Sequence, residues 1–268
     1  MVVILAAGQG SRMNLKEGIS KCSALLVDGN STVGRLVNQF KSLGETKFII
    51  VVGYGAESVV KMVEVNGESV PGVDITWIYN GKYKTRGCEY SLSCAASSID
   101  ENEDHLIIVE GDLVTTTSNL SSIVDTNCTS VLVRDSDHLC KKSVAVVCDD
   151  EDTVVVKFLY DKSHQFDMSS LVQIIPTVYD SFQVWRINKE DLEEFKYKLS
   201  QYKQYADDET SGQDFRMASG LLTINSLILD RTMRILPAPE PDSWINLNSE
   251  EDLNLLYDDK ETPWFLKG

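Results

Sequence analysis

The chain has 268 residues, with 25 Lys plus Arg against 41 Asp plus Glu, for a net charge of −16 at neutral pH. With 43% hydrophobic and 25% charged residues it is composed like an ordinary globular protein, long enough to bury a core without disulfide or metal staples. The acidity excludes the basic footprint that a nucleic-acid polymer needs and disfavours an anionic membrane surface.

The segment 2–7 is an unbroken apolar run, which predicts a buried strand. It has no basic leader and passes straight into a glycine loop, so a secretory signal is not expected. Further strands are expected at 47–52, 75–79 and 105–110. Between the first two, Val33, Leu36, Val37 and Phe40 follow the spacing of one helix face, and Gly44 suits the stop. Helices at 56–65 and 90–99 make about three strand–helix units before Asp112, the alternation of a mostly parallel sheet. No apolar run approaches the roughly 18 residues of a spanning helix.

The second half is richer in strand, at 130–134, 143–147, 153–158 and 182–187, with an acidic turn at 148–152 predicting a hairpin. Asn188 to Asp191 resembles a capping box. It opens a helix with Leu192, Phe195, Leu199 and Tyr202 on one face. A polar loop at 205–213, a helix to about residue 229, strands at 233–236 and 244–247, and a last helix from Ser249 complete the chain. The fold class expected is α/β: a Rossmann-like, mostly parallel mixed sheet flanked by helices, with a β-rich insertion in the second half. The six cysteines (Cys22, Cys88, Cys94, Cys128, Cys140, Cys148) are scattered with no CxxC pair, so a reduced, cytoplasmic protein is expected. The three histidines fall outside every motif.

The loop Leu5-Ala6-Ala7-Gly8-Gln9-Gly10-Ser11-Arg12-Met13 follows the first strand directly. Small residues in a tight turn let backbone N–H groups approach phosphate oxygens. A Walker loop would need Lys-Ser/Thr after its last glycine, and a dinucleotide fingerprint would need a small residue where Met13 stands and an acidic end to the second strand. Neither condition is met. Arg12 and Lys21 follow closely, the latter in Lys21-Cys22-Ser23-Ala24-Leu25-Leu26.

These motifs resemble the nucleoside-triphosphate transferases of the sugar nucleotidyltransferase-like superfamily. Tyr79-Asn80-Gly81-Lys82-Tyr83 and Tyr90-Ser91-Leu92 are similar to segments of phosphocholine and phosphonate cytidylyltransferases. Glu110-Gly111-Asp112 and Trp244-Ile245-Asn246-Leu247-Asn248 occupy the places of that family's two metal-site segments. The resemblance implies one nucleotidyltransferase domain over residues 1–268, with 1–128 binding nucleotide and 129–268 binding acceptor. The implied reaction joins CMP from CTP to a small phosphorylated alcohol or alkylphosphonate and releases pyrophosphate. The acceptor would be of the phosphocholine, 2-aminoethylphosphonate or 2-hydroxyethylphosphonate type.

On that resemblance Arg12 grips the β- and γ-phosphates, a bidentate role suited to a guanidinium. Lys21 holds the α-phosphate or the acceptor oxygen, and Asp112 binds Mg2+ with Asn248. Leu5, Ala6, Ala7, Gly8, Gly10, Ser11, Asn80, Gly87, Ser91, Glu110 and Gly111 line the nucleotide. Lys142, Lys162, Tyr179, Trp185 and Asp214 are acceptor candidates. Trp185, Tyr179 and Tyr160 read equally as an aromatic cage for a quaternary ammonium or as core, and Asp214 as a solvated loop charge. Three departures stand out. Ser20 replaces a proline, Gly87-Cys88 replaces paired asparagines, and Asn248 replaces a second metal-binding aspartate. The last leaves three readings: a tolerated variant site, a carboxylate supplied from elsewhere such as Glu110, or a nucleotide-binding regulator with little turnover. A sugar-1-phosphate nucleotidyltransferase using UTP or dTTP is the alternative within the class. No nucleic-acid or membrane partner is expected, and the sequence leaves the oligomeric state open.

Overall fold

A computed structural model describes residues 1–10, 13, 15–26, 28–64, 70–149, 151, 154–161, 165–208 and 233–255. Strand β1 (Val2–Ala6) is buried at all five positions, which is why it reads as a continuous apolar run rather than an alternating one. Strands β2 (Lys47–Val52), β3 (Asp74–Tyr79) and β4 (His105–Glu110) extend the sheet from it in parallel. The crossovers carry α1 (Thr32–Ser42), α2 (Ala56–Val63) and α3 (Cys88–Ala95). At the start of α1 the Ser31 hydroxyl accepts the Gly34 N–H at 3.0 Å, satisfying one of the orphan donors of the first turn.

Beyond β4 lie β5 (Leu113–Thr115) and α4 (Thr117–Asp125), then β6 (Ser130–Arg134), β7 (Ala145–Cys148), β8 (Val155–Leu159) and β9 (Val178–Asn188). Helix α5 (Lys189–Asp207), β10 (Arg234–Pro237), β11 (Trp244–Asn246) and α6 (Glu250–Asn254) follow. The main sheet runs β10-β6-β9-β4-β1-β2-β3, with β7 pairing to β8 and β9 off this path. Strand β9 is antiparallel to both β4 and β6. The α/β mixed sheet is therefore as the alternation predicts. The β-rich insertion narrows to the β7–β8 hairpin, because β6, β9 and β10 join the main sheet.

Side-chain alternation along the strands sorts the core into two layers. Val3, Leu5, Leu106 and Ile108 face Leu92 of α3 and Leu192, Phe195 and Leu199 of α5. Val2, Ile4, Ile50 and Ile107 face Leu36 and Phe40 of α1, Val59 of α2 and Leu120 of α4. Two local expectations are corrected. Asn188 makes no side-chain cap; Asp191 instead accepts from the Thr129 hydroxyl. The helix also runs on to Asp207, anchored there by Lys82 and Tyr90, so the polar loop starts later than residue 205. The helix expected up to residue 229 lies outside the described residues. No described helix is long and apolar enough to cross a membrane.

Phe182 on β9 is fully buried, and its ring centroid lies 5.8 Å from that of Trp244 on β11. Phe182→Ala should cost about 3–5 kcal/mol, read as a lowered midpoint in urea denaturation with an unchanged slope.

Candidate active site

The parallel strands β1, β2 and β4 end on one edge of the sheet, where open α/β folds hold ligands. After β1 the glycine loop turns back over this edge. Gly10 adopts φ +60°, and its missing Cβ would stand 3.3 Å from the aliphatic stem of Lys21. The position thus needs glycine twice, for its backbone angle and for the approach of the lysine. Lys21 opens a single 3-10 turn, Lys21–Ser23, capped by the Ser20 hydroxyl.

Asp112 follows β4. Between it and Glu110, Gly111 donates its N–H to the Leu5 carbonyl at 2.9 Å. A Cβ on Gly111 would lie 3.0 Å from both Leu5 O and Ala6 Cβ. Asn248 arrives from the far end of the chain through the antiparallel β5–β11 pair, in which Asn246 faces Leu113. The Leu247 N–H donates to the Asp112 carbonyl at 3.1 Å. This ladder is pinned by Asn119 on α4, whose amide donates to Glu240 O at 2.9 Å and accepts from Glu240 N at 2.8 Å.

The result is a convergence of three segments on one ammonium. Lys21 Nζ forms an ion pair with Asp112 Oδ2 and donates to Asn248 Oδ1 at 3.3 Å. Asn248 is held in turn by α6, where Asp252 accepts the backbone N–H groups of Asn248 and Ser249 at 2.9 and 2.8 Å. The Ser249–Asp252 capping box fixes that turn,.

A cavity of about 210 Å³ opens over this centre. Leu5, Ala7, Gly8, Lys21, Gly87, Ser91, Glu110 and Asp112 line it, together with Tyr83, Arg86, Cys88 and Cys22. Eight of the expected residues thus share one wall. Ala6 does not: it is fully buried and points to the opposite layer. Asn80 is also fully buried, donating to Ser91 Oγ at 3.0 Å and accepting from Lys82 N at 2.8 Å. It braces the wall rather than facing the cavity, because both ends of its amide are bonded within the protein. Arg86 was not singled out in the sequence; its guanidinium donates to the Ala206 carbonyl at 2.8 and 3.2 Å, tying this wall to the end of α5.

A second cavity of about 230 Å³ is lined by Asn248 itself, with Arg134, Lys142, Ser143, Gln183, Trp244 and Asn246. Arg134 pairs with the buried Asp180 at 2.8 Å and lies 4.3 Å from the Trp244 ring centroid. Of the acceptor candidates among the described residues, Lys142 lines it and Tyr179 and Trp185 do not. Trp185 is 4% exposed, packed in the core against Phe158 at 6.5 Å, with Tyr179 and Tyr160 against the same layer. Of the two readings left open for these three, cage or core, the structure takes core packing, because alternation turns Trp185 into the layer that holds Val131 and Ile108. Trp244, which the sequence placed only within a motif, is the aromatic that lines this second cavity. Ser11, Arg12, Lys162 and Asp214 lie outside the described residues.

The electrostatics follow from burial. Desolvation alone would lower the pKa of Lys21, but Asp112 above all, with Cys22 and Glu110 beside it, holds it above the ordinary lysine value. Glu110 is pushed up to about 7 by desolvation and by the charge of Asp112, against the opposing pull of Lys21 and a hydrogen bond from Asn246. Cys22, buried beside the centre, is pushed up to about 12 by burial and then by Asp112. Its thiolate is therefore scarce at pH 8. In the native protein at pH 8, iodoacetamide should label the exposed Cys128 and Cys140 and leave Cys22 unmodified, as read by peptide mass spectrometry.

Solved structures share this arrangement of elements. The CTP:phosphocholine cytidylyltransferase of Streptococcus pneumoniae superposes with a TM-score of 0.65 at 16% identity, covering 97% of both chains. The inositol-1-phosphate CTP transferase of T. maritima gives 0.61 at 18% identity, covering 97% and 96%. The UDP-glucose pyrophosphorylase of Acinetobacter baumanii gives 0.67 at 10%, covering 97% and 95%. Among curated proteins, the bifunctional protein GlmU of Exiguobacterium sibiricum is 34% identical over 118 residues, 43% of this chain and 23% of that protein. The UTP–glucose-1-phosphate uridylyltransferase AglF of Haloferax volcanii is 28% identical over 122 residues, 46% of each. The chain thus spans about a quarter to a half of the length of the curated relatives it matches. The fold is shared with these three solved structures, and with residues 27–259 matched, the chain belongs to the family described as Domain of unknown function (DUF6564).

Proposed function

We propose that the protein is a nucleotidyltransferase that moves CMP from CTP to a small phosphate- or phosphonate-bearing acceptor, with release of pyrophosphate. The observation that carries this reading is the meeting of Lys21, Asp112 and Asn248 between two cavities. An acceptor oxygen must attack the α-phosphorus while pyrophosphate leaves on the opposite side, so the two substrates have to meet end to end. The wall of Ser91, Gly87 and the glycine loop suits the nucleotide. The Arg134, Lys142 and Trp244 side suits the acceptor.

Reaction between two polyanions is slowed by repulsion and by misalignment, so fixed positive charge and fixed geometry are what the protein has to supply. Lys21 is preorganised by Asp112 and Asn248 and neutralises charge at the reacting phosphate. Arg12 serves the leaving phosphates, and the N–H groups of the glycine loop take further oxygens. Asp112 and Asn248 already direct two hard oxygens at one cation, and Glu110 stands beside them. That donor set fits Mg2+, which takes its remaining ligands from water and phosphate. Asp112 and Asn248 would hold the ion, and when bound it supplies Lewis-acid charge neutralisation on phosphate oxygens.

The name of one sequence relative, the UTP–glucose-1-phosphate uridylyltransferase AglF, supports a second reading in the same class, uridylyl transfer to a sugar 1-phosphate. One assay separates the two. The purified protein is incubated with Mg2+, each of CTP, UTP and dTTP, and a panel containing phosphocholine, 2-aminoethylphosphonate, 2-hydroxyethylphosphonate and glucose 1-phosphate. Pyrophosphate release confined to CTP and a non-sugar acceptor is the expected outcome. Release with UTP and glucose 1-phosphate alone would replace the first reading by the second, and no release in any combination would refute both.

In the productive combination, Lys21→Ala and Asp112→Asn should each lower kcat/KM by about 10²–10³-fold, the scale of losing one preorganised electrostatic contact. Asn248→Asp should shift the Mg2+ dependence to lower concentration, since it adds a charge to the donor set.

A further inference from the structure

Gln183 has φ +59°, the left-handed conformation, and is the residue other than glycine with positive φ among those described. It lies in the middle of β9, where a side chain with a Cβ is strained and glycine would not be. The distortion is real in the pairing as well. Opposite β6, the register jumps from Val131↔Trp185 to Val133↔Ser181, so three residues of β9 bulge past Leu132. The ladder with β4 ends at Val109↔Val184, and the Gln183 N–H turns to the Ser181 hydroxyl at 3.0 Å.

The bulge re-aims one side chain. With its amide turned to donate, Gln183 places its nitrogen 3.0 and 3.1 Å from the two oxygens of Glu110. Glu110 lines the nucleotide-side cavity, Gln183 the acceptor-side one. Glu110 and Lys21 line the same cavity as Asp112, so a loose Glu110 carboxyl would compete for the ammonium that Asp112 and Asn248 hold. Glycine would satisfy the backbone without strain, so it is the amide that gives this strained position a use.

We infer that Gln183 is a positioning residue for nucleotidyl transfer: its strained backbone aims an amide at Glu110, which keeps that carboxyl off Lys21 and leaves the lysine on the reacting phosphate. The inference rests on the transfer reading above. It concerns alignment at the centre rather than triphosphate affinity, so it predicts an effect on kcat.

The test compares wild type with Gln183→Gly, Gln183→Asn, Glu110→Gln and the double variant Gln183→Gly/Glu110→Gln, by pyrophosphate release in the productive combination and by thermal melting. Gln183→Gly should melt at or above wild type yet lose about ten- to a hundredfold in kcat, with KM for the triphosphate within about a factor of three. Gln183→Asn, which tolerates the same backbone and keeps a shorter amide, should recover part of the loss. The double variant should be no slower than Glu110→Gln alone, as expected when one residue acts through the other. Wild-type kcat in Gln183→Gly, multiplying losses in the double variant, or a glycine variant that melts well below wild type would each overturn the inference. An inert wild type would overturn the transfer reading and this inference with it.

Discussion

A lysine ammonium held between the carboxylate of Asp112 and the amide oxygen of Asn248 ties together residues 21, 112 and 248, which have no local reason to meet. Taking an ammonium out of water is costly, and a buried pair repays that cost only when geometry and further hydrogen bonds are good. The surrounding architecture supplies both. Gly10 and Gly111 let backbone and lysine stem approach where a Cβ would intrude. The β5–β11 pair and Asn119 carry Asn248 to the place, and the α6 capping box keeps it there. Weakening any of these supports leaves a partly paired charge, so the centre is as much a constraint on the fold as a product of it.

The net charge of −16 makes the placement of the cations more telling than their number. Around the two cavities Lys21, Arg86 and Arg134 are all tied to internal acceptors: Asp112, the Ala206 carbonyl and Asp180. Bonded cations keep their position while an anion arrives, and fixed charge in a partly dehydrated site acts more strongly than mobile charge in water. An acidic exterior then discourages extended polyanions without preventing a small one from entering. Acidity and phosphate binding are compatible because they operate at different distances.

Much of the fold was legible because its first half is regular. Strands β2, β4 and β6 fall where the apolar runs predicted, and the centre of α1 falls on the face of Val33, Leu36, Val37 and Phe40. The short β5 and α4 were not placed from the sequence, because one strand of three residues and the single apolar turn of Leu120, Ile123 and Val124 are brief signals, although they are what bring Asn248 to Asp112. Trp185 and Trp244 show the same limit in a single residue type. Both are tryptophans on strands, but the parity of β9 turns one into the core, while the edge pairing of β11 with β5 leaves the other beside a cavity. Asn80 illustrates the converse, a motif residue whose amide is spent on shaping the wall.

Gln183 was invisible for a different reason. Its importance lies in a backbone angle, and a left-handed residue announces itself in sequence only when it is glycine or asparagine. Glutamine in an apolar strand, between Phe182 and Val184, looks like ordinary alternation. What the fold adds is the antiparallel turn of β9 against β4, which sets Gln183 opposite the end of the strand that carries Glu110. Parallel strands deliver their loops to one edge of the sheet. A reversed neighbour brings the middle of a strand to that same edge, where a bulge can present a side chain without the freedom of a loop. The mixed sheet thereby places a rigid polar group between two cavities.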